Sequence, residues 1–264
     1  MEFLELHAEV LAGHIASIAA WLPVKGEPRR IVDLGCGTGA GTFALLERFP
    51  AAHVTAVDVA AEPLGRLREK ACARGVAERV RTVQADLDAD PWPDLGTPDL
   101  VWASAAMHHL DDPGRALRNV RDLLAPGGLF AVVELAGSLR FLPAHAPEGR
   151  PGLEERARAA AAAHYAEHVP HLDADWGGLL VAAGFAVEDR RTVSVSIGGE
   201  GDDAIARYAQ ASLRRVRDVA ASALDPEDLA ALDRLLDGDG PDSLLRRKDL
   251  VLRTERAVWA ARRA

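Results

Sequence analysis

Over the first 22 residues, apolar side chains fall at Leu4, Leu11, Ile15, Ile18 and Leu22, close to helical spacing, and the run stops at Pro23. The spacing predicts one amphipathic helix over residues 3–22, followed by a turn-rich link over 24–29. From Arg30 the pattern changes to short apolar runs. Runs at 31–34, 54–57, 80–83, 100–103 and 129–134 alternate with helical patterns over 40–49, 62–74 and 113–124. The second helix is closed by Gly75 and the third by Pro126-Gly127-Gly128, and a Pro/Asp-rich loop spans 88–98. The runs are apolar on both sides of the pleat and helices separate them, so they predict a parallel sheet covered by helices on both faces.

Past residue 137 that rhythm breaks. Residues 140–152 are rich in Pro and Gly, and an Ala-rich helix over 153–169 stops at Pro170. A short helix over 176–183 capped by Gly184 precedes an alternating strand over 185–197. Helices over 202–223 and 225–236 follow, the second opened by Asp225-Pro226-Glu227. A last strand over 250–260 completes the pattern. The expected layout is an N-terminal helical segment (1–29), a core made of 30–137, 176–198 and 249–264, and two helical insertions (138–175 and 199–248).

Composition narrows the function classes. Of 264 residues, 48% are hydrophobic and 27% charged, which excludes a mainly disordered chain. Forty acidic against 31 basic residues give a formal charge of −9, and the only lysines are Lys25, Lys70 and Lys248, so no nucleic-acid partner is expected. Two isolated cysteines, Cys36 and Cys72, form no disulfide framework or zinc ribbon. The start, Met1-Glu2-Phe3-Leu4-Glu5, lacks the basic stretch of a secretory signal, and the apolar segment 10–22 is too short to span a bilayer. A soluble, cytoplasmic protein with no membrane partner, monomeric or homodimeric, is the expectation.

The chemistry concentrates in Asp33-Leu34-Gly35-Cys36-Gly37-Thr38-Gly39-Ala40-Gly41, between a strand and a helix. Glycines there let the chain turn tightly and let a ligand approach main-chain N–H groups at a helix N-terminus. Asp58 ends the next strand about 20 residues on, where a carboxylate can accept hydrogen bonds from two ribose hydroxyls. Together they point to an adenosine-type cofactor at the carboxyl ends of a parallel sheet. Gly35-x-Gly37-x-x-Ala40 also satisfies the looser dinucleotide fingerprint. Asp33, two residues before the first glycine, would repel a pyrophosphate and attract a cationic ligand, which ranks an NAD-linked oxidoreductase far lower.

The same segment closely resembles motif I of the class I S-adenosylmethionine-dependent methyltransferases. The resemblance continues through Val57-Asp58, Gln84-Ala85-Asp86-Leu87, Met107-His108-His109-Leu110-Asp111-Asp112-Pro113, Leu124-Ala125-Pro126-Gly127-Gly128, Ala183-Gly184-Phe185 and Arg253-Thr254-Glu255-Arg256. It implies a Rossmann-like, mostly parallel seven-stranded sheet whose last strand is antiparallel and inserted beside the sixth, with helices on both faces and helical cap insertions. It implies S-adenosyl-L-methionine as cofactor. Gly35, Cys36, Gly37 and Gly39 would lie under its methionine part, with Asp33 near the amino group, often through water. Asp58 and Val59 would meet the ribose end, Asp86 and Leu87 the adenine, and Ala103 and Ser104 the methionine moiety. Many relatives carry Asn where this chain has Ser104.

Methyl transfer from a sulfonium needs alignment and a dry pocket, and needs a base only when the acceptor must lose a proton. His108, His109 and Glu134 follow the fourth and fifth strands, where such a base would stand. His164 and His168, one helical turn apart, have metal-like spacing, yet Pro170 breaks the helix before His171 and no third ligand is evident, so no metal is expected. Phe141, Tyr165, Trp176 and Tyr208 could wall an acceptor pocket beneath the insertions, which would form a lid together with residues 1–22. The expected activity is methyl transfer to O, N or C of a small molecule, a secondary metabolite. The alternatives are a non-methylating binder of the same cofactor and a tRNA or protein methyltransferase.

Overall fold

The computed structural model describes residues 1–198 and 203–263. Its centre is a seven-stranded sheet in the order β3-β2-β1-β4-β5-β7-β6. The strands are β1 (Arg30–Leu34), β2 (His53–Asp58), β3 (Val80–Gln84), β4 (Leu100–Ser104), β5 (Leu129–Leu135), β6 (Phe185–Gly198) and β7 (Val251–Arg263). The first five run parallel, and β7 lies antiparallel between β5 and β6. The sequence-level fold class is therefore the observed one. β1, β4 and β5 are buried on both faces, as their unbroken apolar runs require. β6 is the exposed edge, lined with charged side chains such as Arg190 and Arg191 that discourage further pairing.

Helices α3 (Ala40–Arg48), α4 (Ala61–Ala73), α5 (Pro113–Leu123) and α7 (Trp176–Ala182) are the crossovers that cover the sheet. Two apolar layers result. One holds Ile31, Trp102, Val133 and Val258, the other Val32, Val101, Phe130 and Trp259. Helix starts use the expected chemistry: Asp112 accepts the Arg115 N–H at 2.8 Å, and Asp175 accepts the Gly178 N–H at 3.1 Å.

The N-terminal segment differs from the single predicted helix. It is α1 (Glu2–Val10) and α2 (Ala12–Trp21), bent by 57° about the buried Leu11. Each half buries its apolar stripe against a different partner, α1 on α8 (Asp203–Ala220) and α2 on α3, and one straight helix could not reach both. The start of α8 predicted at Asp202 lies outside the described residues. Helices α6 (Leu153–His168), α8 and α9 (Pro226–Leu236) pack together and continue the core layer that contains Trp102. Glu154 ties this cap to the sheet: it accepts the Phe141 and Leu142 N–H groups at 2.9 and 2.8 Å and pairs with Arg158 at 2.8 Å. Among the described residues no single helix is long and apolar enough to cross a membrane; α1 and α2 together have that length and composition, and their apolar residues Leu6, Leu11, Ile15 and Ile18 are buried in the core.

β7 runs three residues beyond its predicted end. Charged Arg262 is buried there, bonded to Glu188 at 2.7 Å and to the carbonyls of Gly127 and Pro23 at 2.7 and 2.6 Å. A reading that ends strands at charges misses an arginine whose three nitrogens each find an acceptor inside the fold.

Candidate active site

Motif I forms the turn from β1 to α3 at the carboxyl rim of the sheet. Gly35 sits at φ +65°, and a Cβ there would stand 2.4 Å from the Ala106 Cβ, so the loop presses directly on the segment after β4. Gly37, at φ +52°, has nothing within 4 Å of where a Cβ would stand. Main chain at this position faces open space, the arrangement needed for close approach of a ligand. Cys36 is buried, its N–H bonded to the Val57 carbonyl at 3.0 Å, and burial together with Asp33 and Asp58 pushes its thiol pKa up.

Asp58 ends β2 half-buried. Its Oδ2 accepts the Gly37 N–H and its Oδ1 the Ala60 N–H, both at 2.9 Å, so the carboxylate fixes the loop while each oxygen keeps a free lone pair. Beside it Val59 is 62% exposed, an apolar surface next to a polar anchor. Asp86 is exposed, one oxygen taken by the Asp88 N–H at 2.8 Å, and Leu87 is buried with its carbonyl held by Trp92 Nε1 at 3.0 Å. Ala103 is fully buried and Ser104 half-buried. Ala105, with φ +51°, is the one non-glycine in the left-handed region among the described residues, a strained turn at the rim.

Asp33 is 2% exposed and accepts the Thr42 hydroxyl at 2.6 Å beneath the first turn of α3. Burial raises its pKa to about 7, against the lowering effect of the Thr42 bonds, and the nearby Asp58 charge raises it further. The glycine turn, the open space over Gly37 and the three carboxylates Asp33, Asp58 and Asp86 fit a ligand carrying a ribose and a positive charge.

The three candidate bases converge. Met107–His109 is a single 3-10 turn after β4. Glu134, fully buried at the end of β5, accepts the Met107 N–H at 2.9 Å and bonds His108 Nδ1 at 2.5 Å. His108 is 3% exposed, while His109 is exposed and its ring meets that of His108 tilted by 46° at 4.1 Å between centroids. The pKa of His109 is lowered, first by partial covering of its ring and then by His108, with Glu134 opposing. The sequence offered Glu134 and the histidines as separate candidates. Their pairing depends on the alignment of β4 with β5, Ser104 against Val133, which no local pattern shows.

On the cap side, His7 Nδ1 bonds Tyr208 Oη at 2.8 Å, and Phe141 meets the Tyr208 ring edge-on at 5.4 Å. Trp176 belongs to the opposite layer of the core and takes no part in this wall. His7, His14 and Arg256 escaped the sequence reading as individual site residues. The available signal was the alternation of β7, where Leu252, Thr254, Arg256, Val258 and Ala260 share one face and three of the five are apolar. His164 and His168 stack at 4.0 Å, with His168 Nδ1 on the His164 carbonyl at 2.9 Å. Among the described residues no three His, Cys, Asp or Glu side chains are placed to hold a metal.

Residues 32–130 match the family model described as a methyltransferase domain. Over 106 residues the chain is 42% identical to malonyl-[acyl-carrier protein] O-methyltransferase of Halorhodospira halophila, covering 40% of this chain and 35% of that one. Over 102 residues it is 40% identical to trans-aconitate 2-methyltransferase of Azoarcus sp., covering 39% and 37%. The chain thus spans little more than a third of the length of these two curated relatives. A solved geranyl diphosphate methyltransferase in complex with SAM has the same fold, with a TM-score of 0.55 and 16% identity over 96% of this chain and 85% of that one.

Proposed function

We propose that this chain is a class I S-adenosylmethionine-dependent methyltransferase that transfers a methyl group from S-adenosylmethionine to O, N or C of a small molecule, a secondary metabolite. The observation that carries this reading is the rim formed by the open main chain at Gly37 and the half-buried Asp58 that braces it. In this reading Asp58 receives the ribose hydroxyls, with Val59 against the same end. Asp86 and the Leu87 N–H take the adenine. The Gly35–Gly39 main chain, Ala103 and Ser104 border the methionine portion, with Asp33 behind it. The bound cofactor supplies an electrophilic methyl on a sulfonium.

The protein's own residues then align and desolvate. Glu134 holds His108 through Nδ1, which fixes the ring, so Nε2 is the atom that receives a proton from a phenol, alcohol or acidic carbon. His109 is the second candidate and stands nearer solvent. The names of the two relatives, a malonyl-[acyl-carrier protein] O-methyltransferase and a trans-aconitate 2-methyltransferase, support a small acceptor over nucleic acid. A cytoplasmic setting accords with two unpaired cysteines.

Isothermal titration with S-adenosylhomocysteine tests the reading. Binding is expected, and Asp58→Ala is expected to weaken it by about 2–3 kcal/mol as the ribose contacts and the loop brace disappear. Absence of heat at millimolar ligand would discard the cofactor assignment.

A further inference from the structure

Arg256 stands opposite Leu135 of β5 and Val193 of β6. Leu135 lies two residues beyond Val133, the partner of Ser104, so Arg256 is on the carboxyl rim two strands from the end of β4. At about 4.8 Å per strand across and about 3.3 Å per residue along, its Cα is roughly 12 Å from that end, within reach of a small acceptor that spans from the methyl position to the guanidinium. The residue is 4% exposed and its Nη1 is buried without a hydrogen-bond partner. Among the described residues no carboxylate comes within 4 Å of it.

Every nearby charge is otherwise engaged. Glu134 serves Met107 and His108, and Glu154 serves two backbone N–H groups and Arg158. Arg215 lies over the Phe3 ring at 4.8 Å. The groups facing Arg256 from α1, α2 and α8 are His7, His14 and Tyr208. His7 is held neutral, its pKa lowered to about 3 by burial and then by Arg256 itself, and His14 Nε2 is a second buried nitrogen with no partner. A buried guanidinium with an unpaired nitrogen is strongly unfavourable, and the carboxylate whose charge favours it, Glu134 of β5, is bonded to Met107 and His108 and makes no ion pair with it.

We propose that the counter-ion arrives with the substrate: Arg256, aided by His14, anchors an oxyanion, carboxylate or phosphate, on the methyl acceptor. The proposal rests on reading this rim as the acceptor site, and it narrows the acceptor to an anionic small molecule. Tyr208, bonded to His7, faces Arg256 from the cap side.

The test uses the full chain loaded with S-adenosylhomocysteine, whose own binding is measured first, so failure of the cofactor reading shows separately. Thermal midpoints are then recorded with phenylacetate, phenyl phosphate and phenylacetamide at millimolar concentration and matched ionic strength. One or both anions are expected to raise the midpoint, and the neutral amide to leave it unchanged. A response to phenylacetate alone identifies a carboxylate, and a response to phenyl phosphate alone identifies a phosphate.

Arg256→Met removes an uncompensated buried charge, so it is expected to leave the ligand-free midpoint equal or higher and to abolish the anion response, with S-adenosylhomocysteine affinity unchanged within twofold. Arg256→Lys, which keeps the charge, retains part of the response. Once an acceptor is turned over, Arg256→Met is expected to raise its KM by about 30-fold or more, the low end for truncating one partner of a buried charge pair. A protein that binds S-adenosylhomocysteine yet responds equally to amide and anions, or to none of them, overturns the proposal. So does an Arg256→Met variant that loses stability but keeps the anion response.

Discussion

Asp33 shows how burial changes the chemistry of a residue that the motif alone identifies. The motif names the carboxylate, but its enclosure under α3, the bond from Thr42 and the resulting pKa near 7 belong to the packed state. Because the folded value lies above the ordinary 3.8, the native state keeps a proton that the unfolded chain has lost between about pH 4 and pH 7. The contribution of Asp33 to stability is therefore full below about pH 4 and falls as pH rises toward 7. The whole fall is on the order of 4 kcal/mol. Asp33→Asn keeps an acceptor for Thr42 and cannot ionise, so its urea midpoint relative to wild type should climb as pH rises from 4 to 7, and a constant difference would show Asp33 ionised throughout. In the same way Gly35, Gly37 and Asp58 were legible as a ligand-binding turn. That Gly35 is wedged on Ala106, and that Asp58 braces Gly37, depends on strands meeting across the sheet.

Elements were read best where one local rule governs them. β1, β4 and β5 are unbroken apolar runs with both faces covered, and their limits agree with the structure to a residue. The errors came where tertiary contact decides. A continuous helical pattern over residues 3–22 becomes α1 and α2 because two partners claim its two halves, and β7 extends because Arg262 is stapled inward. Arg262 joins Glu188 to two carbonyls at the rim opposite the site, so Arg262→Ala should cost about 3 kcal/mol in chemical denaturation, with S-adenosylhomocysteine affinity unchanged. A loss under 1 kcal/mol, or a loss of affinity, would contradict this account of the strand end.

At the scale of the whole molecule, the parallel sheet and its antiparallel last strand beside the sixth were foreseeable, whereas the seating of the cap on the rim was not, since it rests on contacts between segments some 200 residues apart. His7 and Tyr208 are the clearest of these. With a folded pKa of about 3 against an ordinary 6.5, His7 contributes stability that is present above pH 6.5 and is lost as pH falls toward 3. The groups facing it, Tyr208, Arg256 and His14, offer no negative charge to welcome a proton. Lowering the pH from 6.5 to 5 should cost about 2 kcal/mol. His7→Gln, which keeps a polar partner for Tyr208, should narrow that loss in urea melts and reduce the acid-induced rise in amide exchange along α1. Equal acid sensitivity of the two proteins would remove His7 as the cause.

The same short helix has a second attachment. Glu5 of α1 pairs with Lys70, and Lys70 also reaches the Thr38 carbonyl of the glycine turn at 3.4 Å. One side of α1 thus leans on the glycine turn through Lys70, and two residues later His7 leans on Tyr208 of α8. Displacing this nine-residue helix would therefore break both moorings at once, the Lys70 link to the glycine turn and the His7–Tyr208 bond.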